Sequence, residues 1–396
     1  MINPATHTPQ TPPLLGLPTF EQNSEKRTHS LLAIAKTLEN EMRMIRQTIH
    51  ANPELAYQEF ETAKLAEERL RQLGFNVRTG IAGTGLIAEI GSGKKTVAIR
   101  AEMDAVEIDE FNQIAYRSRK RNVMHACGHD AHVAAVLGAA EILSRERLPG
   151  RIRIVLQPAE ESVDAQGKRG SFHMIGAGAL DDVKAILGLH VDATLAFGKV
   201  GVIENPLLEL KNSFAINVSA FSSKLPAPLS ISRFVSQLLE QKNNSWRAAN
   251  LQISNISWSQ NDMAIIAGSY NCDESSSEQL CDELSKLCTA HFQDQFKLAF
   301  SSNVLEINSH KQQIEQTFEA ARETLGKENV LAIRRKSWTK DFAEYANLAP
   351  ASFFLLGTAL PGVRVIQHTS TFDLDEKALP TAAAVLAASA LRILSA

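Results

Sequence analysis

Two periods of apolar residues succeed one another along the chain. From about Thr28 to His50, Leu31-Leu32, Ile34-Ala35, Leu38, Met42, Ile45 and Ile49 recur every three or four positions, which puts one face of a helix into a core. Asn52-Pro53 ends the pattern, since the residue before a proline disfavours helical backbone. A second helix carries Phe60, Ala63, Leu65-Ala66, Leu70 and Leu73 and is closed by Gly74, a C-terminal capping position. Short apolar runs then predict strands over Gly85–Ile90, Thr96–Ala101, Arg151–Leu156 and Ala185–Leu189, with a helix over Ala131–Ser144. This texture predicts an α/β domain with a mixed, mostly parallel sheet flanked by helices.

Between Asn205 and Asn308 the texture changes. Strand Asn212–Phe221, helix Ile231–Leu239, strands Leu251–Trp258 and Met263–Tyr270, helix Ser276–His291 and strand Phe296–Ile307 follow in order. That β-α-β-β-α-β sequence is the split unit of a ferredoxin-like domain. The α/β texture then resumes with helix Lys311–Leu325, strand Ser352–Leu356, the segment Val363–His368 and a terminal helix. The expected organisation is a disordered tail over 1–27, the first part of a catalytic domain over 28–205, an inserted ferredoxin-like unit over 206–308, and the second catalytic part over 309–396.

Composition narrows the partners. The first 30 residues are polar, carry Pro4, Pro9, Pro12, Pro13 and Pro18, and lack the basic start and apolar run of a secretory signal. The apolar run Ala382–Ile393 contains Ser389 and Arg392; it is shorter than a bilayer span and reads as a buried helix, so no membrane partner is expected. Of the 396 residues, 44% are hydrophobic and the net charge is −3: enough for large cores, without the basic excess that nucleic acid requires. The cysteines Cys127, Cys272, Cys281 and Cys288 are too irregularly spaced for a disulfide framework, and a reducing, cytoplasmic compartment is expected. Cys281 and Cys288 read as core residues of a helix.

Candidate chemistry centres on His125-Ala126-Cys127-Gly128-His129-Asp130-Ala131-His132, which gathers three imidazoles, a thiol and a carboxylate. Thiolate with imidazole suits zinc or a similar first-row divalent ion, although the stretch alone reads equally as a buried cysteine among packed histidines. Position adds weight. Asp104, Glu160-Glu161 and His190 each fall just past the carboxyl end of a predicted strand, the edge at which open α/β sheets hold their ligands. Collected together, Cys127, His129, Glu161, His190 and His368 make a five-donor set suited to two divalent ions sharing a water. Glu160 is then left as a carboxylate beside that water, which is what a general base requires. His132 either supports the site or packs; His50 reads as structural, and His173, His291 and His310 as surface or capping residues.

Six stretches carry a family resemblance: Ala51-Asn52-Pro53-Glu54, Arg100-Ala101-Glu102-Met103-Asp104, His125 to Asp130, Gln157-Pro158-Ala159-Glu160-Glu161, Gly188-Leu189-His190, and His368 followed by Phe372. In this order the chain resembles the metal-dependent amidohydrolases related to aminoacylases and carboxypeptidases, in the branch of hippurate and auxin-conjugate (indole-acetyl-amino acid) hydrolases. The resemblance implies a catalytic α/β domain split by a ferredoxin-like lid. It implies two divalent ions, zinc or manganese with cobalt or nickel accepted, on Cys127, His129, Glu161, His190 and His368. Glu160 would act as base and carry a proton to the leaving amine, while Asp104 and His125 would orient the ligands. The implied substrate is a small N-acyl amino acid or related amide, and the lid implies a homodimer.

The chain also departs from that family. Aspartate is usual where Glu102 stands, and proline where Glu107 stands. The lid turn that normally ends in a histidine facing the oxyanion reads Ala220-Phe221-Ser222-Ser223-Lys224-Leu225-Pro226-Ala227-Pro228 here, leaving Ser223 or Lys224 as substitute donors. A later lid loop is shortened to Trp258-Ser259-Gln260-Asn261-Asp262, where Asn261 survives, and Lys340 replaces a glutamate. These departures keep two other readings open: the same centre turned to an unusual substrate or to amide formation, and a non-catalytic relative.

Overall fold

The expected first helix is two helices, α1 (Ser24–Thr37) and α2 (Glu39–Ala51), with Leu38 between them. The apolar stripe runs through this joint, so periodicity does not reveal it. The computed structural model describes residues 24–205, 212–218, 227–243, 251–258, 264–270, 274–301, 310–334 and 341–396. Residues 1–23 of the expected tail, Cys272, Ser223, Lys224, Asn261 and Lys340 lie outside the described residues. Helix α3 (Phe60–Gln72) ends as expected before Gly74, which has φ +85°.

The main sheet has eight strands. In chain order they include β1 (Asn76–Ile81), β2 (Gly85–Gly91), β3 (Thr96–Glu102), β4 (Arg151–Gln157), β5 (Val183–Asp192) and β6 (Val200–Asn205). Between β3 and β4 lies α4 (His129–Ser144), and between β4 and β5 the short helix α5 (Gly170–Gly176).

A second unit follows: β7 (Asn212–Val218), α6 (Ala227–Asn243), β8 (Gln252–Trp258), β9 (Ala264–Tyr270), α7 (Glu274–Phe292) and β10 (Phe296–Ser301). Its strands pair antiparallel in the order β10-β7-β9-β8, as the β-α-β-β-α-β reading anticipates. Phe214, Ile216, Phe234, Leu238, Ile266, Leu284 and Phe292 fill its own core. The chain then returns to the main unit with α8 (Lys311–Leu325), β11 (Val330–Arg334), α9 (Phe342–Ala346), β12 (Ala351–Gly357) and α10 (Leu379–Ser395).

The order of the large sheet is β1-β2-β4-β3-β5-β12-β6-β11. Strands β4, β3, β5 and β12 run parallel at its centre, with antiparallel pairings at β1–β2, β2–β4 and β12–β6. Alternate residues serve opposite faces. Val97, Ile99 and Ala101 join the core formed with α1, α2, α4, α8 and α10, whereas Ala98, Val155 and Ile186 meet Met174, Phe342 and Tyr345 on the other side. Burial on both faces explains why the central strands read as largely apolar runs rather than alternating ones, with buried Arg100 in β3 and Arg153 in β4 as exceptions. Edge strand β1 gives no such run; β11 does, over residues 330–333, but with β1 and β6 it escaped the sequence reading.

Two expectations need correction. His190 lies inside β5, not past its end. The ladder with β12 continues through Leu355↔His190 to Gly357↔Asp192, whereas pairing with β3 stops at Arg100↔Gly188. One flank of the strand is therefore released just before His190. The terminal helical stretch runs over Glu376–Ser395, 20 residues, so length does not bar it from crossing a bilayer; 83% of its apolar window is buried inside the protein instead. It is a core helix packed on α4 and α8.

Gly128 fixes the turn into α4. It has φ +90°, and a Cβ there would lie 2.4 Å from Val191 Cγ2. Gly128→Ala therefore combines backbone strain with a clash against the strand bearing His190, an expected loss of about 2–4 kcal/mol. Gly167→Ala, at φ +73° with nothing within 4 Å, isolates the backbone part and should cost about 1 kcal/mol. Urea unfolding of both variants measures the difference; equal losses would remove the clash from the account.

Candidate metal centre

Three segments meet at the carboxyl edge of the parallel strands. Cys127 and His129 come from the end of loop 103–128 and the first turn of α4, Glu160 and Glu161 from the turn after β4, and His190 from β5. His368 joins them from the loop before α10. Ligand atoms of Cys127, His129 and His190 lie within 4.8 Å of one another, as do those of Cys127, Glu161 and His368, and those of His129, Glu160 and Glu161. All six side chains thus belong to one cluster of overlapping groups.

Hydrogen bonds turn the imidazoles toward it. His129 Nδ1 donates to the Asp104 carbonyl at 2.9 Å, and its Nε2 is buried without a hydrogen-bond partner. His190 Nδ1 donates to the Val191 carbonyl at 2.8 Å, which directs Nε2 to Cys127 Sγ at 3.4 Å. Burial lowers His190 to about 3 and keeps it neutral, the form that binds cations. Asp104 does double duty, because its Oδ2 also accepts from the Glu161 backbone N–H at 2.8 Å. His368, half-exposed and at φ +57°, places Nε2 3.0 Å from Glu161 Oε1. Its N–H bonds the Ala126 carbonyl at 2.9 Å, and the Gln367 amide donates to the Val191 carbonyl at 3.1 Å. The last segment is thereby stitched to both others.

The two glutamates diverge. Ala159, at φ +49°, bends the chain after β4, and its N–H is held by Glu59 Oε1 at 2.9 Å. Arg169 donates to the Glu160 carbonyl. Burial, with help from the neighbouring Glu161 carboxylate, raises Glu160 above its ordinary value. Glu161 is held below its own, against the penalty of burial, by the bond from His368.

His132, left open by the sequence, is buried. The Val191 N–H can only donate, so His132 Nε2 must accept that bond at 3.0 Å, and Nδ1 carries the proton given to Glu102 Oε2 at 2.9 Å. Both ring nitrogens are engaged. This removes Glu102, His129 and His132, another close donor group, as a cation site. Glu102 in turn pairs with buried Arg100, which also donates to Gln157. His125 is fully buried, and neither ring nitrogen has a hydrogen-bond partner, so no bond ties it to a donor of the cluster. His50 is buried between two carboxylates. His173 pairs with Asp164, and His310 is a buried residue whose Nδ1 accepts from the Ala351 N–H.

The sequence reading missed Glu59, Gln367 and Arg46, and it took His50 as structural without its partners; Arg46 and His50 lie on the buried face of α2. For the last two a signal existed: both sit on the stripe set by Met42 and Ile49, where a charged side chain needs a buried partner.

The donors present fit a cation. Orphaned His129 Nε2 carries a desolvation cost of roughly 1–3 kcal/mol that a bound ion would remove, and thiol, imidazole and carboxylate together suit a borderline divalent metal. Such a cluster at the strand ends of a mixed α/β core, with a ferredoxin-like unit inserted in the chain, defines a metallohydrolase. The chain belongs to peptidase family M20/M25/M40, whose model matches residues 98–392, a family of hydrolases of amide and peptide bonds. It is 32% identical over 381 residues to an Arabidopsis thaliana IAA-amino acid hydrolase ILR1-like 6, covering 89% of this chain and 80% of that one. An N-acetyl-L-cysteine deacetylase of Bacillus subtilis is 36% identical over 196 residues, 48% of this chain and 46% of that protein. Among solved structures, a dinuclear metal binding peptidase of the family from Bacillus subtilis superposes with a TM-score of 0.72 at 27% identity, covering 91% of this chain and 99% of that one.

Proposed function

We propose that this chain is a dinuclear metal-dependent amidohydrolase that cleaves the amide bond of a small N-acyl amino acid or related amide. The observation that carries the reading is the overlap of donor groups. Cys127, Glu161 and His129 each belong to two of the close sets, the arrangement expected where neighbouring ions share ligands. Cys127, His129, Glu161, His190 and His368 would hold the pair, with zinc or manganese the metals best matched to the donors. Two bound ions would polarise the amide carbonyl and make water more acidic.

The protein's own groups supply the rest. Glu160, raised by burial, accepts the proton of the attacking water and delivers it to the departing nitrogen. Asp104 fixes the His129 ring and the Glu161 backbone, so the donors are set before substrate arrives. Relatives named for hydrolysis of indole-acetyl-amino acids and for deacetylation of N-acetyl-cysteine both act on an acyl group joined to an amino acid, which supports that substrate class. The Cys127, Cys281 and Cys288 thiols are unpaired, in keeping with a cytoplasmic setting.

A second reading, the same centre with an unusual acyl or amine partner, is favoured by the missing histidine in Ala220–Pro228. A panel of N-acetyl, N-benzoyl and N-indoleacetyl amino acids, run with zinc or manganese and a chelator control, decides between them. Turnover abolished by chelator is expected. Two bound ions with no turnover on any member would favour the second reading, and fewer than one tightly bound ion per chain would end the first.

A further inference from the structure

Helix α2 contributes no donor to the cluster, yet it holds two buried cationic side chains one turn apart. Arg46 is fully buried and spends its guanidinium on three separate segments. Its Nε donates to Asp130 Oδ2 at 3.0 Å, Nη1 reaches the Tyr116 hydroxyl at 3.3 Å and Glu376 Oε1 at 3.0 Å, and Nη2 reaches Asp373 Oδ1 at 3.3 Å. His50 bridges Asp130 Oδ2 at 2.7 Å and Glu110 Oε1 at 3.2 Å.

The partners are placed where ligands are held. Asp130 directly follows His129 in the first turn of α4. Glu110 and Tyr116 belong to the loop that leads into Cys127. Asp373 lies five residues after His368, in a segment also fastened to that loop by Phe111 N to Ser370 O at 2.8 Å and Asn112 Nδ2 to Phe372 O at 2.8 Å. Strand β5 touches these segments from the cluster side, and α2 bonds all three from the other through Arg46 and His50.

Two cations among four carboxylates, most of them taken from water, are a poor source of stability, since desolvation offsets most of the attraction. What such a cluster does fix is relative position. We propose that Arg46 and His50 are positioning residues of the metal centre: they lock the His129, Cys127 and His368 segments together from behind, so that the donors are spaced for a cation before it binds. A guanidinium suits this task because its planar fork serves several acceptors in fixed directions, which a lysine ammonium does not. The proposal rests on the metal-centre reading above.

The test is zinc affinity, not turnover. Full-length protein, stripped of metal, is titrated with zinc against a chromophoric chelator, alongside Arg46→Lys, Asp373→Asn and Arg153→Lys. Arg153 is an equally demanding control: buried, bonded to Glu89 and to the carbonyls of Gly178, Ala179 and Asp181, and tied to no segment of the centre. Arg46→Lys and Asp373→Asn should weaken zinc binding ~10–100-fold, with Arg153→Lys within about threefold of wild type even where its thermal midpoint falls further. Should Arg46→Lys not fold, Asp373→Asn decides, because it keeps the arginine and removes the charge from one partly exposed pair. Wild-type affinity in Asp373→Asn, or an equal loss in Arg153→Lys, overturns the proposal. Failure of the wild-type chain itself to bind zinc overturns the metal reading beneath it instead.

Discussion

Replacing Glu160 with glutamine should lower kcat ~10²–10⁴-fold, the range for loss of a positioned general base, while the metal content stays that of the wild type. Glutamine has nearly the same shape and keeps a hydrogen bond to water, but its amide cannot take a proton. The argument rests on the divergence between the adjacent carboxylates. Glu161 is drawn down by His368 and faces the donor cluster, whereas Glu160 is raised by burial and by Glu161 itself. A raised carboxylate is the better base, because it holds a proton more strongly once it has taken one. The sign of the pH dependence follows: kcat/KM should rise with pH along an acid limb lying above the ordinary glutamate value of about 4.3, as Glu160 becomes the required anion. The limb should vanish in Glu160→Gln. Glu161→Gln should behave differently, losing metal first and activity as a consequence. Full turnover in Glu160→Gln, or an unchanged acid limb, would sink the assignment.

Most of the fold was legible because its elements announce themselves by period. The βαββαβ order between β7 and β10 followed from alternating and helical spacings alone, and the central strands followed from their largely apolar runs. The edge strand β1 was not legible: it exposes most of its residues, so nothing in its pattern marks it as buried. At the site, four of the six residues that meet fall in two short polar clusters, Cys127 with His129 and Glu160 with Glu161, which the sequence displays directly. Their supports are another matter. The contacts of Glu59, Gln367 and Arg46 to Ala159, Val191 and Asp373 each span 100 or more positions, and no local pattern encodes a contact that only the closed sheet creates. The displacement of His190 into β5 has the same origin, since the β12 ladder that extends the strand is contributed by residues 351–357.

Cys127→Ala should cost the centre at least one of the two ions proposed for it and should change how binding responds to pH. Cys127 stands in two donor groups, one with His129 and His190 and one with Glu161 and His368, so its removal weakens both at once. Burial raises its thiol, and bonds to Cys127 and Glu161 push His368 up to about 10. At neutral pH both groups therefore carry protons that a cation must displace. Binding should release about two protons per chain from this pair, measurable as the dependence of calorimetric heat on the ionisation enthalpy of the buffer. Each displaced proton makes zinc affinity rise by up to about tenfold per pH unit, and the rise should continue until His368 has lost its proton near pH 10. In Cys127→Ala the thiol proton disappears from the count and the His368 value falls with the loss of its first partner, so the slope should drop by one or more. Binding that releases no protons in the wild type, or a slope unchanged by the substitution, would show that the thiol and His368 do not share a cation.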